Sequence, residues 1–231
     1  MSSGNISRRH YDDACGTAHG LELLGERWAM LVVRELLLGP KRFSDLRADL
    51  PGISANVLTQ RLEGLEAAGI IRRRRLPPPA PAQVYELTEW GYEAEPIVCA
   101  LGRWAARSPG HDPSLPLSST SLMLSLRTMF DPARAGGAVT RIGFRLGAES
   151  FVATVRNGRY TSARGPADGA DFTFVGSARP LAGAIYGGVP LDALVAEGAL
   201  AVEGDRSLAE RFLTWFVLPP KAATVRSEAT G

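Results

Sequence analysis

Scarcity is informative in this chain of 231 residues, which holds only two cysteines and three histidines. Cys15 and Cys99 form no Cys-x-x-Cys pair, so neither a disulfide framework nor a structural zinc site is expected to organise the fold. His10, His19 and His111 lie in terminal or breaker-rich sequence. Neither Gly-x-Ser-x-Gly nor a phosphate loop ending in Gly-Lys-Ser/Thr occurs, so we expect no enzyme and no cofactor. Cys15 and His19 stand one helical turn apart, but two ligands without further partners do not make a metal site. Nowhere do about 18 apolar residues run together, which excludes an obvious membrane-spanning helix. The polar opening, residues 1–16, has no apolar stretch of the secretory kind, so a cytoplasmic protein with no membrane partner is expected. An overall basic excess is missing too, the net charge being only +2.

The basic charge that is present is patterned. Residues 39–75 hold eight Lys/Arg (Lys41, Arg42, Arg47, Arg61 and Arg72 to Arg75) against four acidic residues (Asp45, Asp49, Glu63, Glu66). In the same stretch Phe43, Leu46 and Leu50 keep helical spacing until Pro51-Gly52 stops the helix. Ser54 is a suitable N-cap for a second helix, whose Leu58, Leu62 and Leu65 make one apolar stripe. The opposite face carries Asn56, Gln60 and, less squarely, Thr59 and Glu63, with Arg61 on a flank. Uncharged amides and hydroxyls of this kind can hydrogen-bond base edges in a major groove. After Gly69, Ile70-Ile71 begins a strand that continues through the four arginines; Pro77 to Pro81 interrupts pairing before Gln83 to Leu87 returns as the second arm. Helix, turn, helix and basic hairpin in this order predict a winged helix-turn-helix. Arg42, Ser44, Ser54, Asn56, Thr59, Gln60, Arg61 and Arg72, Arg73, Arg74 and Arg75 are its candidate contacts to double-stranded DNA.

The length suggests two domains. Helical spacing of Ile97, Val98, Leu101 and Trp104 predicts a helix closing a first domain, residues 1–107; breakers make 108–117 a linker. Residues 118–219 read as an α+β domain, an antiparallel sheet covered by helices, and 220–231 as a flexible tail. Strands are expected at 140–146, 151–155, 171–175 and 199–203, with Asn157-Gly158 as a tight hairpin turn. Phe144, Phe172, Phe174, Leu181, Ile185, Leu191, Phe212 and Phe216 are candidates to line an apolar pocket, against the plainer reading of an ordinary core.

Residues 1–107 resemble the HxlR-type winged helix-turn-helix regulators of bacteria. The likeness rests on Cys15, Leu24-Gly25-Glu26-Arg27-Trp28, Arg42-Phe43-Ser44-Asp45-Leu46, the run from Ile53 to Leu62, Leu65 to Ile71, and Tyr85 to Gly91. It implies a homodimer, joined largely through the N-terminal helix and the helix after the wing, on an inverted-repeat operator. In several such regulators the cysteine at the position of Cys15 senses oxidants or electrophiles, so Cys15 is a candidate redox sensor. The chain departs from the pattern at Gly16, where a proline usually follows the cysteine, and at Gly64, often basic. By layout, residues 118–218 resemble a sterol-carrier-protein-like domain, which implies a lipid-like effector. The alternative function is a lipid-binding or transfer module whose winged domain serves only for dimerisation or protein contact.

Overall fold

The computed structural model describes residues 11–77 and 81–223, which divide into two compact units at Glu95/Pro96. The first begins with α1 (Gly16–Leu24) and α2 (Ala29–Leu36), continues through α3 (Phe43–Asp49) and α4 (Ala55–Ala67), and adds β1 (Ile71–Arg75), β2 (Gln83–Leu87) and the short α5 (Glu89–Tyr92). Leu58, Leu62 and Leu65 of α4 are buried, as the spacing predicts, and α4 packs on α2, which contributes Val32, Val33 and Leu36 to the core. The Ser54 hydroxyl caps α4 by accepting from the Val57 N–H at 3.3 Å. β1 and β2 pair antiparallel, and an isolated bridge from Lys41 to Tyr85 adds a third arm beside β2.

One buried ion cluster ties these elements. Lys41, 2% exposed, donates from Nζ to Glu35 Oε2 at 2.9 Å and also to Asp49, while Arg34 Nη2 meets Glu35 Oε1 at 2.7 Å. One lysine thus joins α2, the end of α3 and, through its backbone, the wing. Burying charge is tolerable only because every partner is ionic or hydrogen-bonded.

In the second unit come α6 (Glu95–Ala105), α7 (Ser119–Met129), α8 (Pro132–Ala135), β3 (Thr140–Leu146), β4 (Glu149–Arg156), β5 (Arg159–Arg164), β6 (Phe172–Gly176), α9 (Ala178–Tyr186), α10 (Leu191–Ala196), β7 (Leu200–Gly204) and α11 (Arg206–Leu213). The unit boundary places α6 here, although its spacing predicts the closing helix of a first domain ending at residue 107. Its end is held by bonds to distant parts of the same unit: Arg103 donates to the Thr128 carbonyl, Arg107 to the Pro220 carbonyl, and Lys221 to the Ala106 and Ser108 carbonyls. Within the expected tail, residues 220–222 carry these bonds and that of the Ala222 N–H to the Arg107 carbonyl; residues 224–231 lie outside the described residues.

The sheet order is β5-β4-β3-β6-β7, and it is mixed rather than wholly antiparallel because β3 and β6 run parallel. Hairpins link β3, β4 and β5, with Asn157 (φ 52°) and Gly158 (φ 69°) both in the left-handed region that a tight two-residue turn requires. Residues 165–171 then join β5 to β6 across the sheet. A Cβ added to Gly143 would lie 2.7 Å from the Ala167 Cβ, so this strand glycine lets the crossing segment approach the backbone. On the helix-covered side, Phe144, Phe172 and Phe174 meet Phe212 of α11, whose ring centroid lies 4.9 Å from that of Phe216 and 5.5 Å from that of Trp215. Both Trp215 and Phe216 follow α11 rather than belonging to it.

Candidate nucleic-acid interface

α4 turns its polar residues to solvent: Ser54, Asn56, Thr59 and Gln60 are all exposed. Their amides and hydroxyls protrude from a helix held on the other side by three buried leucines, an arrangement suited to reading base edges. At the start of α3, Arg42 is exposed and Ser44 is engaged locally, its hydroxyl donating to Asp45 Oδ1 at 3.0 Å. Arg61 turns away from the exposed face. Its guanidinium pairs with Glu26 at 3.3 Å in the loop between α1 and α2. In that loop Trp28 adopts φ 79°, uncommon for a bulky residue, and its ring lies near the Gly52 turn.

The four wing arginines, each exposed, are not equivalent. Side chains alternate along a strand, and Arg72 stands opposite Glu86 in the β1-β2 register. Glu86 accepts from Arg72 Nε through one oxygen at 2.7 Å, and its other oxygen lies 2.8 Å from Arg74 Nε as an ion pair. On the other face Arg73 Nε meets Glu66 Oε2 of α4 at 2.9 Å, with the guanidinium 5.7 Å from the centre of the Tyr85 ring. Arg75 has no ion pair among the described residues. Arg73, Arg74, Arg75, Pro81, Ala82 and Gln83 line a shallow concavity at the hairpin end; Pro78, Pro79 and Ala80 lie outside the described residues. Glu26, Glu66 and Glu86, the acidic partners, are absent from the sequence-predicted interface. Only the opposition of Arg72 to Glu86 was foreseeable in principle, and the proline-rich connection hides the register on which it depends.

Cys15 sits exposed at the N-cap of α1. Its thiol pKa is lowered, chiefly by the Thr17 backbone N–H and then that of Ala18, because both donors stabilise a thiolate. Sequence alone leaves the sign open between Asp12 and Asp13 on one side and Arg8, Arg9 and His10 on the other; the last three lie outside the described residues. His19 turns to Glu22 at 3.4 Å.

The eight apolar candidates of the second unit are buried. The phenylalanine rings pack on one another at centroid distances of 4.9 to 6.1 Å, so a ligand among them must displace a ring. Leu181 and Ile185 are buried on α9, which packs on β6 and α7, whereas Leu191 belongs to α10 on β7.

Residues 23–112 match the model of the HxlR-like helix-turn-helix family. An uncharacterised HTH-type transcriptional regulator of Bacillus subtilis, YvaP, is 38% identical over 85 residues, which cover 37% of this chain and 79% of YvaP. The chain belongs to the HxlR family. Another HxlR-region relative, the HTH-type transcriptional regulator YodB of Bacillus subtilis, is 37% identical over 83 residues, covering 36% of this chain and 74% of YodB. Among solved structures, the redox regulator HypR in its reduced form aligns at 33% identity and a TM-score of 0.37, over 39% of this chain and 90% of that one. HxlR-type sequence therefore accounts for less than half of the chain. Residues 115–222 match a different model, that of the alkyl sulfatase C-terminal domain. Among the described residues no helix is long and apolar enough to cross a membrane.

Proposed function

We propose that this HxlR-family protein is a sequence-specific, homodimeric transcriptional regulator that reads an inverted-repeat operator with two copies of α4 and holds the phosphate backbone with its wings. The carrying observation is the exposed, uncharged face of Asn56, Thr59 and Gln60 beside a wing rich in arginine. Exposed apolar side chains supply material for dimerisation: Leu21 on α1, and Ile97, Leu101 and Trp104 on α6, the last 72% exposed. A gel-shift titration at moderate salt against the duplex upstream of its own coding sequence tests the proposal. Binding that prefers this duplex to a scrambled one is expected; equal, weak binding to both rejects operator reading.

The second unit then serves as a regulatory domain for an apolar, lipid-like effector in a sterol-carrier-like manner. Its match to a family model distinct from that of the winged unit supports a separate role, and because its rings pack on one another the effector must displace one of them. An effector acts only if it binds two states of the dimer unequally. Lipid extraction and mass spectrometry of the purified protein, paired with the gel shift, separate the readings: lipid whose removal changes DNA affinity supports an effector, whereas stoichiometric lipid with no DNA affinity favours a lipid-binding or transfer protein.

Cys15 gives this regulator an oxidant-sensitive handle, supported by its exposure and lowered thiol pKa and by the redox role named for HypR. Peroxide that weakens operator binding in the native protein and leaves Cys15→Ser unaffected is the expected result. An equal response in both rejects it.

A further inference from the structure

From the wing geometry we infer that Glu86 is a specificity-determining positioning residue: it holds Arg72 and Arg74 in fixed places and cancels part of their charge, so that the wing grips random DNA less than its four arginines suggest. This rests on the DNA-binding proposal above.

Three observations converge on it. First, Glu86 is only 6% exposed, and its carboxylate is shared, one oxygen to each guanidinium. A buried carboxylate between two exposed arginines does not itself approach a phosphate, yet its negative charge accompanies them wherever they bind. Second, the contacts use the Nε atom of each arginine. Each guanidinium has five N–H donors in a planar fork, and the terminal nitrogens lie beyond the atom Glu86 grips. The carboxylate therefore directs the Arg72 fork through a hydrogen bond and holds the Arg74 fork by charge, in neither contact through a terminal nitrogen. Third, the other arginines differ. Arg73 is paired to Glu66 of the reading helix, and Arg75 has no ion pair among the described residues. Fixed forks favour a duplex whose phosphates lie where they point, which a correctly docked operator provides. Partial neutralisation lowers the sequence-independent term that every duplex shares. Both effects raise the ratio of specific to non-specific binding.

The consequence is specific to charge. For the full-length protein, Glu86→Gln removes one negative charge at nearly unchanged volume. By counterion release it should steepen the dependence of log affinity on log salt by about 0.9 and tighten binding to a scrambled duplex about eightfold at roughly 0.1 M salt. Operator affinity rises less, so the operator preference falls. Glu86→Asp keeps the charge but withdraws the carboxylate by one methylene. It should leave the salt slope as in the native protein and lower the operator preference alone.

Fluorescence-anisotropy titrations of the native chain, Glu86→Gln and Glu86→Asp against both duplexes over a range of salt decide the matter, with circular dichroism checking each fold. A purely structural role predicts weaker binding to every duplex with an unchanged slope. That pattern, or a native slope in Glu86→Gln, or a steepened slope in Glu86→Asp, overturns the inference while leaving DNA binding intact. If the native chain binds neither duplex, the DNA-binding proposal falls and this inference falls with it.

Discussion

In the first unit the distinctive side chains face outward, whereas in the second they face inward. Asn56, Thr59, Gln60 and the wing arginines are exposed, over a modest leucine-rich core stitched by Lys41, Glu35 and Asp49. Phe144, Phe151, Phe172, Phe174 and Phe212 are at most 1% exposed. The difference shows which constraint acts on each. The outward amides of α4 add nothing to the core beneath them, and Arg72, Arg73 and Arg74 stay exposed although paired within their unit, so neither set is accounted for by packing alone. Inward rings are first explained by packing, and any ligand there must compete with that packing.

If this contrast is right, truncation should separate the units. The largest effect is expected from Phe212→Ala, which removes the ring central to the aromatic cluster and should destabilise the second unit by about 3–5 kcal/mol. Denaturant unfolding should show one transition shifted and another, from the winged unit, in place; a common shift of both would break the contrast. Next, Gln60→Ala should cost about 1–3 kcal/mol of operator affinity and little on random DNA. Arg75→Ala should weaken all duplexes alike and lower the salt slope by about 0.9. Anisotropy titrations distinguish these, and equal behaviour of the two variants would remove the division between reading and anchoring.

A smaller effect, of opposite sign, is expected at Gly64. A Cβ there meets nothing within 4 Å, and alanine favours a helix interior over glycine by about 0.5–1 kcal/mol, so Gly64→Ala should raise the melting temperature of the winged unit. The smallest concerns pH. Asp171 has a lowered pKa because its carboxylate accepts first from the Arg141 backbone N–H and then from the Thr140 hydroxyl. A depressed folded-state pKa gives stability that is present above the unfolded carboxyl value, about 3.9, and is lost as pH falls through the folded value. Asp171→Asn should therefore flatten the acid loss of stability of the second unit in that range; an unchanged acid profile would assign these two hydrogen bonds no role.

Legibility followed the range of the interactions involved. Leu58, Leu62 and Leu65 could be placed on the buried side of α4 because a helix writes its faces at a local period, and Asn157-Gly158 because a two-residue turn needs left-handed backbone. β5 has no apolar alternation to mark it: Arg159 to Arg164 is polar and lies at the sheet edge, so only the Asn157-Gly158 turn points to it. Helix α6 was legible as a helix but not in its allegiance, since its apolar residues Ile97, Leu101 and Trp104 remain exposed in the single chain. Within the candidate interface, the exposure of Asn56, Thr59 and Gln60 followed from periodicity. The retreat of Arg61 to Glu26 did not, because these residues are far apart in the chain and meet only through the packing of α4 on α2.

Sequence by itself determined the local grammar: where helices stop, which face of α4 is apolar, that four arginines follow it, and that an aromatic-rich segment lies beyond the breakers. These depend on neighbours within a turn or a hairpin. Only the tertiary structure decided that Glu86 divides its carboxylate between Arg72 and Arg74, that Gly143 admits a crossing segment, and that β6 joins β3 in parallel. Such pairings depend on register and on contacts between distant residues, for which the period of a single element carries no signal.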